Sequence, residues 1–203
     1  MRTIATLLFP QFELLDVYGP LEMLGMFPDD FRLIMVAESD APVASTQGPR
    51  TAIDARIDEM DPAEILLIPG GRGTRREVSN QRVLEWLKNA SASAELVTSV
   101  CTGAFLLARA GLLDDRRATT NKLAFSVAAE HGPRVDWQGS ARWVWDGKFV
   151  TASGVSAGID MSLAVIRDLL GEDAARDAAL WSEYVPNTDP DNDPFAVSEE
   201  TIR

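Results

Sequence analysis

The chain has 203 residues, of which 46% are hydrophobic and 25% charged, with a formal net charge of −12. That length and composition suit one soluble globular domain and exclude disordered and fibrous classes. The acidic balance, without any block of consecutive Lys or Arg, argues against nucleic acid or anionic membrane as a partner.

Thr3 to Phe9 reads as a buried strand, since Pro10, Gln11 and Glu13 interrupt the apolar run and no small-residue cleavage site follows. No apolar stretch approaches the ~18 residues of a membrane span. The next segment, LLDVYGPLEML at 14–24, offers two carboxylates. Asp16 precedes a Gly-Pro pair that predicts a turn, and its apolar neighbours predict burial. A desolvated carboxyl beside a thiolate has its pKa raised and can donate a proton. Glu22, in a short helix after Pro20, is expected on a solvated face.

FRLIMVAE (31–38), EILLIP (64–69) and ELVTSV (95–100) are further strands, each apolar on both faces, as parallel strands covered by helices on two sides are. Ser79 to Asn89 places Val83, Leu84 and Leu87 on one helical face. Between the third strand and that helix, Gly70 and Gly71 let backbone N–H groups face a cavity at a strand's carboxyl end, where open α/β sheets place their sites. The segment lacks the phosphate-loop lysine and the GxGxxG spacing, so it does not predict nucleotide binding.

The only cysteine, Cys101, sits where strand ELVTSV meets the apolar helix CTGAFLLARAG. One cysteine makes no internal disulfide and no paired-cysteine zinc site, which fits a reducing cytoplasm. Small residues two positions either side, Ser99 and Gly103, suit a sharp strand-to-helix turn of the nucleophile-elbow kind. The following helix points its N-terminus at the sulfur, which predicts a thiol shifted toward thiolate. The amides of Thr102 and Gly71 are the expected oxyanion donors.

His131 in AAEHGPR precedes Gly132-Pro133, which predicts a helix-capping role. ARWVWDGKFVTAS predicts an antiparallel flap closed by Asp146-Gly147. SAGIDMSLAVIRDLLG predicts a helix N-capped by Ser156 and ended by Gly171, and Glu172 to Tyr184 predicts another. Trp143, Trp145 and Trp181 are taken as core. The Pro- and Asp-rich tail from about 185 is irregular and is expected to wrap this surface or a partner's. The whole chain is expected to be one α/β domain, with a mostly parallel sheet, helices on both faces and a small antiparallel hairpin.

SVCTGAFLLARAGLL, IPGG, LLDVYGP and SGVSAGIDM together resemble the ThiJ/PfpI superfamily, related to class I glutamine amidotransferase domains, and within it the isonitrile hydratase-like branch. The resemblance implies a flavodoxin-like homodimer, with Cys101 as nucleophile, Asp16 as its partner carboxyl and Thr102 beside them. Many relatives carry histidine where Asn121 stands, and Asn accepts no proton as a general base. Hydration of an isonitrile to an N-substituted formamide, without cofactor or metal, suits what remains. A glyoxalase-like handler of reactive carbonyls and a non-catalytic cysteine redox sensor are the alternatives. A transcription regulator's ligand-binding half is disfavoured, because only one helix and an acidic tail follow Leu170, with no basic recognition helix.

Overall fold

A computed structural model describes residues 1–197. In chain order its main elements are β1 (Arg2–Leu7), α1 (Leu14–Leu24), β2 (Phe31–Ala37), β3 (Ala55–Arg56), β4 (Ile65–Ile68), α2 (Gln81–Ser93), β5 (Leu96–Val100), α3 (Gly103–Arg109), β6 (Trp143–Asp146), β7 (Phe149–Ala152), α4 (Ala157–Leu170) and α5 (Glu172–Trp181). The strands form one seven-stranded sheet in the order β6-β7-β5-β4-β1-β2-β3. All neighbours are parallel except β6 and β7. Helices α1 and α5 both pack on α4, and α2 packs with α3, so the sheet is covered on both faces in the flavodoxin-like manner expected. No helix among the described residues is long and apolar enough to cross a membrane.

Burial explains the strand composition. Every residue of β4 and β5 is buried, so neither strand has a solvated face to fill with polar residues. Because β1 sends its chain to one side, toward β2, while β4 and β5 continue on the other, the carboxyl ends of these strands diverge around a crevice. Segments 8–13, 69–73 and 101–102 leave the sheet there.

Several local expectations are corrected. Gly19-Pro20 makes no turn: α1 runs straight through it. Pro20 lacks the N–H that would reach the Asp16 carbonyl, and α1 tolerates this because Gly19 lets it press close to α4, where an added Cβ would lie 2.9 Å from Ile159 Cγ1. The hairpin is no flap, since β7 lies inside the sheet between β5 and β6. Its turn is Gly147-Lys148: Asp146 still pairs with Phe149, and its carboxylate accepts hydrogen bonds from Arg116 and the Arg117 N–H. Ser156 holds the N-cap position of α4 but not the cap bond; its hydroxyl accepts from Arg142 Nη2 at 3.2 Å. Trp143 is core, Trp145 is half-buried, and Trp181 is 81% exposed.

The tail does more than drape over the surface. Asp193 is buried and accepts a hydrogen bond from Ser153, while the Pro190 carbonyl accepts from the Arg142 N–H at 2.7 Å.

Helix α3 can begin against β4 only because Gly103 has no side chain, since a Cβ there would stand 2.2 Å from the Ile68 carbonyl oxygen. Gly103→Ala is therefore expected to cost roughly 3 kcal/mol in urea unfolding, through forced backbone movement. Gly48→Ala, at a positive-φ turn with nothing within 4 Å of the added methyl, should cost about 1 kcal/mol. Equal losses would contradict the packing account.

Candidate active site

Cys101 follows the last residue of β5 and takes φ +58, a left-handed conformation uncommon for a residue with a side chain. Its N–H donates to the Ala152 carbonyl at 3.2 Å and its own carbonyl accepts from the Thr120 hydroxyl at 2.9 Å. The backbone is thus gripped from β7 and from the 119–121 segment, which holds it in this uncommon turn. The sulfur is left at the floor of a cavity of about 330 Å³, with the residue 6% exposed.

Asp16 comes from the first turn of α1 and is wholly buried. Its Oδ2 accepts the Gly70 N–H at 2.9 Å; Oδ1 has no hydrogen-bond partner among the described residues, and the Cys101 thiol is the neighbouring group that bears on the carboxyl's charge. Burial pushes the Asp16 pKa well above the usual carboxylate range, and the Gly70 hydrogen bond only partly offsets this.

Burial also pushes the Cys101 thiol up, and the neighbouring Asp16 charge adds to the shift. This corrects the expectation of a thiol lowered by the helix N-terminus: α3 has only seven residues, and desolvation outweighs its end. Three groups oppose the rise by donating toward the sulfur, namely the Thr102 N–H, the Thr102 hydroxyl and the Asn121 side chain. Asn121 Oδ1 accepts the Leu123 N–H at 2.9 Å, so its NH₂ end is the one turned to Cys101.

The Gly71 N–H is not a free oxyanion donor. It donates to Thr102 Oγ1 at 3.1 Å, and that hydroxyl also lies 2.9 Å from the Thr74 hydroxyl. Gly71 therefore fixes the Thr102 side chain, while the Thr102 N–H remains for the sulfur side of the cavity.

Cys101, Thr102, Gly71 and Asn121 all line one cavity, and Asp16 lies beneath it; Glu22 is exposed, as expected. His131 also lines this cavity, stacked on Phe105 with ring centroids 4.3 Å apart. It is the last residue of a helical turn, where the sequence places a helix end, but its ring makes no capping hydrogen bond among the described residues and, half-buried, lines the site instead. Burial, then Arg109, lowers its pKa and favours neutral imidazole. Arg72 and Arg75 are likewise part of the lining and carried no periodic or motif signal. Among the described residues, no three His, Cys, Asp or Glu side chains converge as a metal site.

The sequence matches the DJ-1/PfpI family over residues 2–168. It is 34% identical to the isonitrile hydratase of Pseudomonas putida over 97% of this chain and 87% of that protein. The crystal structure of a ThiJ/PfpI family protein from Pseudomonas syringae superposes with a TM-score of 0.84 at 32% identity, covering 92% of this chain and 76% of that one. The HTH-type transcriptional regulator CdhR of Pseudomonas aeruginosa is 27% identical over 83% of this chain and 51% of its own length. An elbow cysteine over a buried carboxyl, on this sheet and with these likenesses, places the chain in the DJ-1/PfpI family.

Proposed function

We propose that the protein is a cysteine-dependent, cofactor-free hydratase that converts an isonitrile to an N-substituted formamide on Cys101. The observation that carries this reading is the Asp16 carboxyl, buried and held by Gly70 directly beneath the only cysteine. Similarity to the Pseudomonas putida isonitrile hydratase along nearly the whole chain supports the substrate class.

In the proposed cycle the reactive state is the pair that has lost one of its two protons and shares the other. With it on Asp16, the Cys101 thiolate attacks the terminal isonitrile carbon, and the S–C bond forms as Asp16 protonates that carbon, giving a thioimidate. The resulting carboxylate takes a proton from water as the water oxygen adds to the same carbon, and passes that proton to nitrogen. The tetrahedral adduct then collapses: C=O forms, C–S breaks, the hydroxyl proton returns to Asp16, and the sulfur leaves as thiolate. The sum is isonitrile plus water to formamide. Donors at Thr102 N–H and Asn121 Nδ2 stabilise negative charge on sulfur at the start and end of the cycle.

No step needs an imidazole base, which suits asparagine at 121. His131, across the cavity and biased toward the neutral form, is left as part of the wall.

Turnover of a simple alkyl isonitrile, followed by formamide release, should fall at least ~10³-fold in Cys101→Ala and roughly 10²- to 10⁴-fold in Asp16→Asn. Full activity in either variant, or turnover of methylglyoxal with none of any isonitrile, would contradict the assignment.

Stability reports the same carboxyl independently of activity. Unfolded Asp16 ionises near its ordinary 3.8, whereas folded Asp16 stays protonated to higher pH. As pH rises from about 4 the unfolded state therefore gains and the folded state loses ground. Asp16→Asn has no such proton to lose, so its stability relative to wild type should climb between pH 4 and neutrality in urea titrations. A flat or falling difference would mean that Asp16 ionises normally.

A further inference from the structure

We propose that the cavity over Cys101 selects a small electrophile that carries a carboxylate, held at the cavity mouth by Arg72 and Arg75. The substrate class so named refines the hydratase reading above and rests on it for the reacting group, but the anion recognition itself needs only these two arginines and the cavity.

Both side chains line the same cavity as Cys101 and both residues are exposed. Neither guanidinium has an acidic partner or a hydrogen bond among the described residues, although the chain holds 31 acidic residues against 19 basic ones. Arg76, next in the chain, turns away and pairs with the buried Glu77. Among the described residues Arg32, Arg50, Arg109 and Arg117 also lack an acidic partner, but none of them lines this cavity.

The opposing charges have been placed. Among the described residues Glu13 is the only carboxylate in the cavity lining; it accepts a hydrogen bond from Gln47 and lies beyond ion-pair distance of either arginine. Asp16 is beneath the floor, and His131 is biased toward neutral. An entering carboxylate thus meets two cations and one anion at the mouth of an otherwise acidic molecule, where low-dielectric walls focus the local field.

The backbone bearing these arginines is clamped. Gly73 N–H donates to the Gln11 carbonyl at 3.1 Å, the Gly70 carbonyl accepts from Glu13 N–H at 2.8 Å, and Gly71 bridges Phe12. The Thr74 hydroxyl lies 2.9 Å from that of Thr102. Ordering the two side chains is then the main entropic cost of gripping the anion. Guanidinium groups suit a carboxylate, which they can bind through paired N–H donors. Phe105, Val127 and Val155 line the remainder of the cavity and fit a compact apolar body between the carboxylate and the reacting carbon.

Isocyanoacetate and its neutral methyl ester separate the charge from the rest of the ligand. Binding is measured by calorimetry to Cys101→Ser, which cannot complete the thiolate chemistry, and then in that background with Arg72→Ala, Arg75→Ala, both together, and both changed to Lys. The expected result is isocyanoacetate bound roughly ten-fold or more tighter than the ester at low salt, a preference that shrinks as salt rises. Each Ala change should reduce it about ten-fold or to parity, the double Ala change should abolish it, and the double Lys change should restore part of it. Equal affinity for the two ligands, tighter binding of the ester, binding of neither, or a preference that survives the double Ala change would each overturn the proposal. Formamide release by the unsubstituted protein separates the two readings. Selective binding without hydration of any isonitrile removes the hydratase assignment and leaves anion recognition standing; hydration of acid and ester with equal kcat/KM, without selective binding, does the reverse.

Discussion

Asp16 and Cys101 are buried against each other where water solvates a charge on either poorly, and the cost of placing one there governs the chemistry of the site. Both groups are pushed toward their protonated forms by the same desolvation. Each charge also disfavours the other, so the resting site favours protons on both groups, the first proton to leave belongs to the pair, and the second is held more tightly once it has gone. The surrounding donors decide where that proton rests. Gly70 N–H favours charge on the carboxyl, whereas Thr102 and Asn121 favour charge on the sulfur. A proton so poised can be delivered to a carbon and recovered without a histidine.

The fold supports that arrangement in successive shells. Three parallel strands end together, so segments far apart in sequence supply Asp16, Gly70 and Cys101 to one spot. Behind Asn121, the buried Lys122 ammonium reaches the Thr119 hydroxyl and the Ala141 carbonyl, both at 2.7 Å, and burial lowers its pKa to about 8. Behind the wall formed by Gly154 and Val155, Arg142 pairs with Asp160 at 2.7 Å in the interior, and Asp160 also accepts from the Tyr184 hydroxyl and the Asn187 N–H. Asp193 completes this cluster and receives the Ser153 hydroxyl, one residue before Gly154. Burying several charges is costly unless all are paired, so the cluster serves better as a device for fixing geometry than as a source of stability.

Much of this was legible in the sequence because the local pattern and the final environment agree. Continuous apolar runs marked β1, β2, β4 and β5, and a lone cysteine between small residues marked the elbow. Asp16 stood out as a carboxylate among apolar neighbours. What failed required knowledge of distant partners. Pro20 reads as a breaker until α4 supplies the packing that keeps α1 whole. Asp193 and Arg142 look like solvated charges until the tail folds back. The thiol's shift was misjudged because a helix end is visible in one dimension, whereas burial by α1 and by segments 69–71 and 119–121 is not. His131, Arg72 and Arg75 belong to the cavity only through tertiary placement. The family resemblance supplied what no periodicity could, namely the pairing of residue 16 with residue 101.

The protonation state of Asp16 in the folded protein bears most directly on this account. Infrared difference spectra between the wild type and Asp16→Ala at neutral pH isolate the band of that carboxyl. The C=O stretch of a protonated carboxylic acid, present in the wild type and missing from the variant, is the predicted result. A carboxylate stretch in its place, with no acid band, would show Asp16 ionised with no proton to deliver and would contradict the central claim.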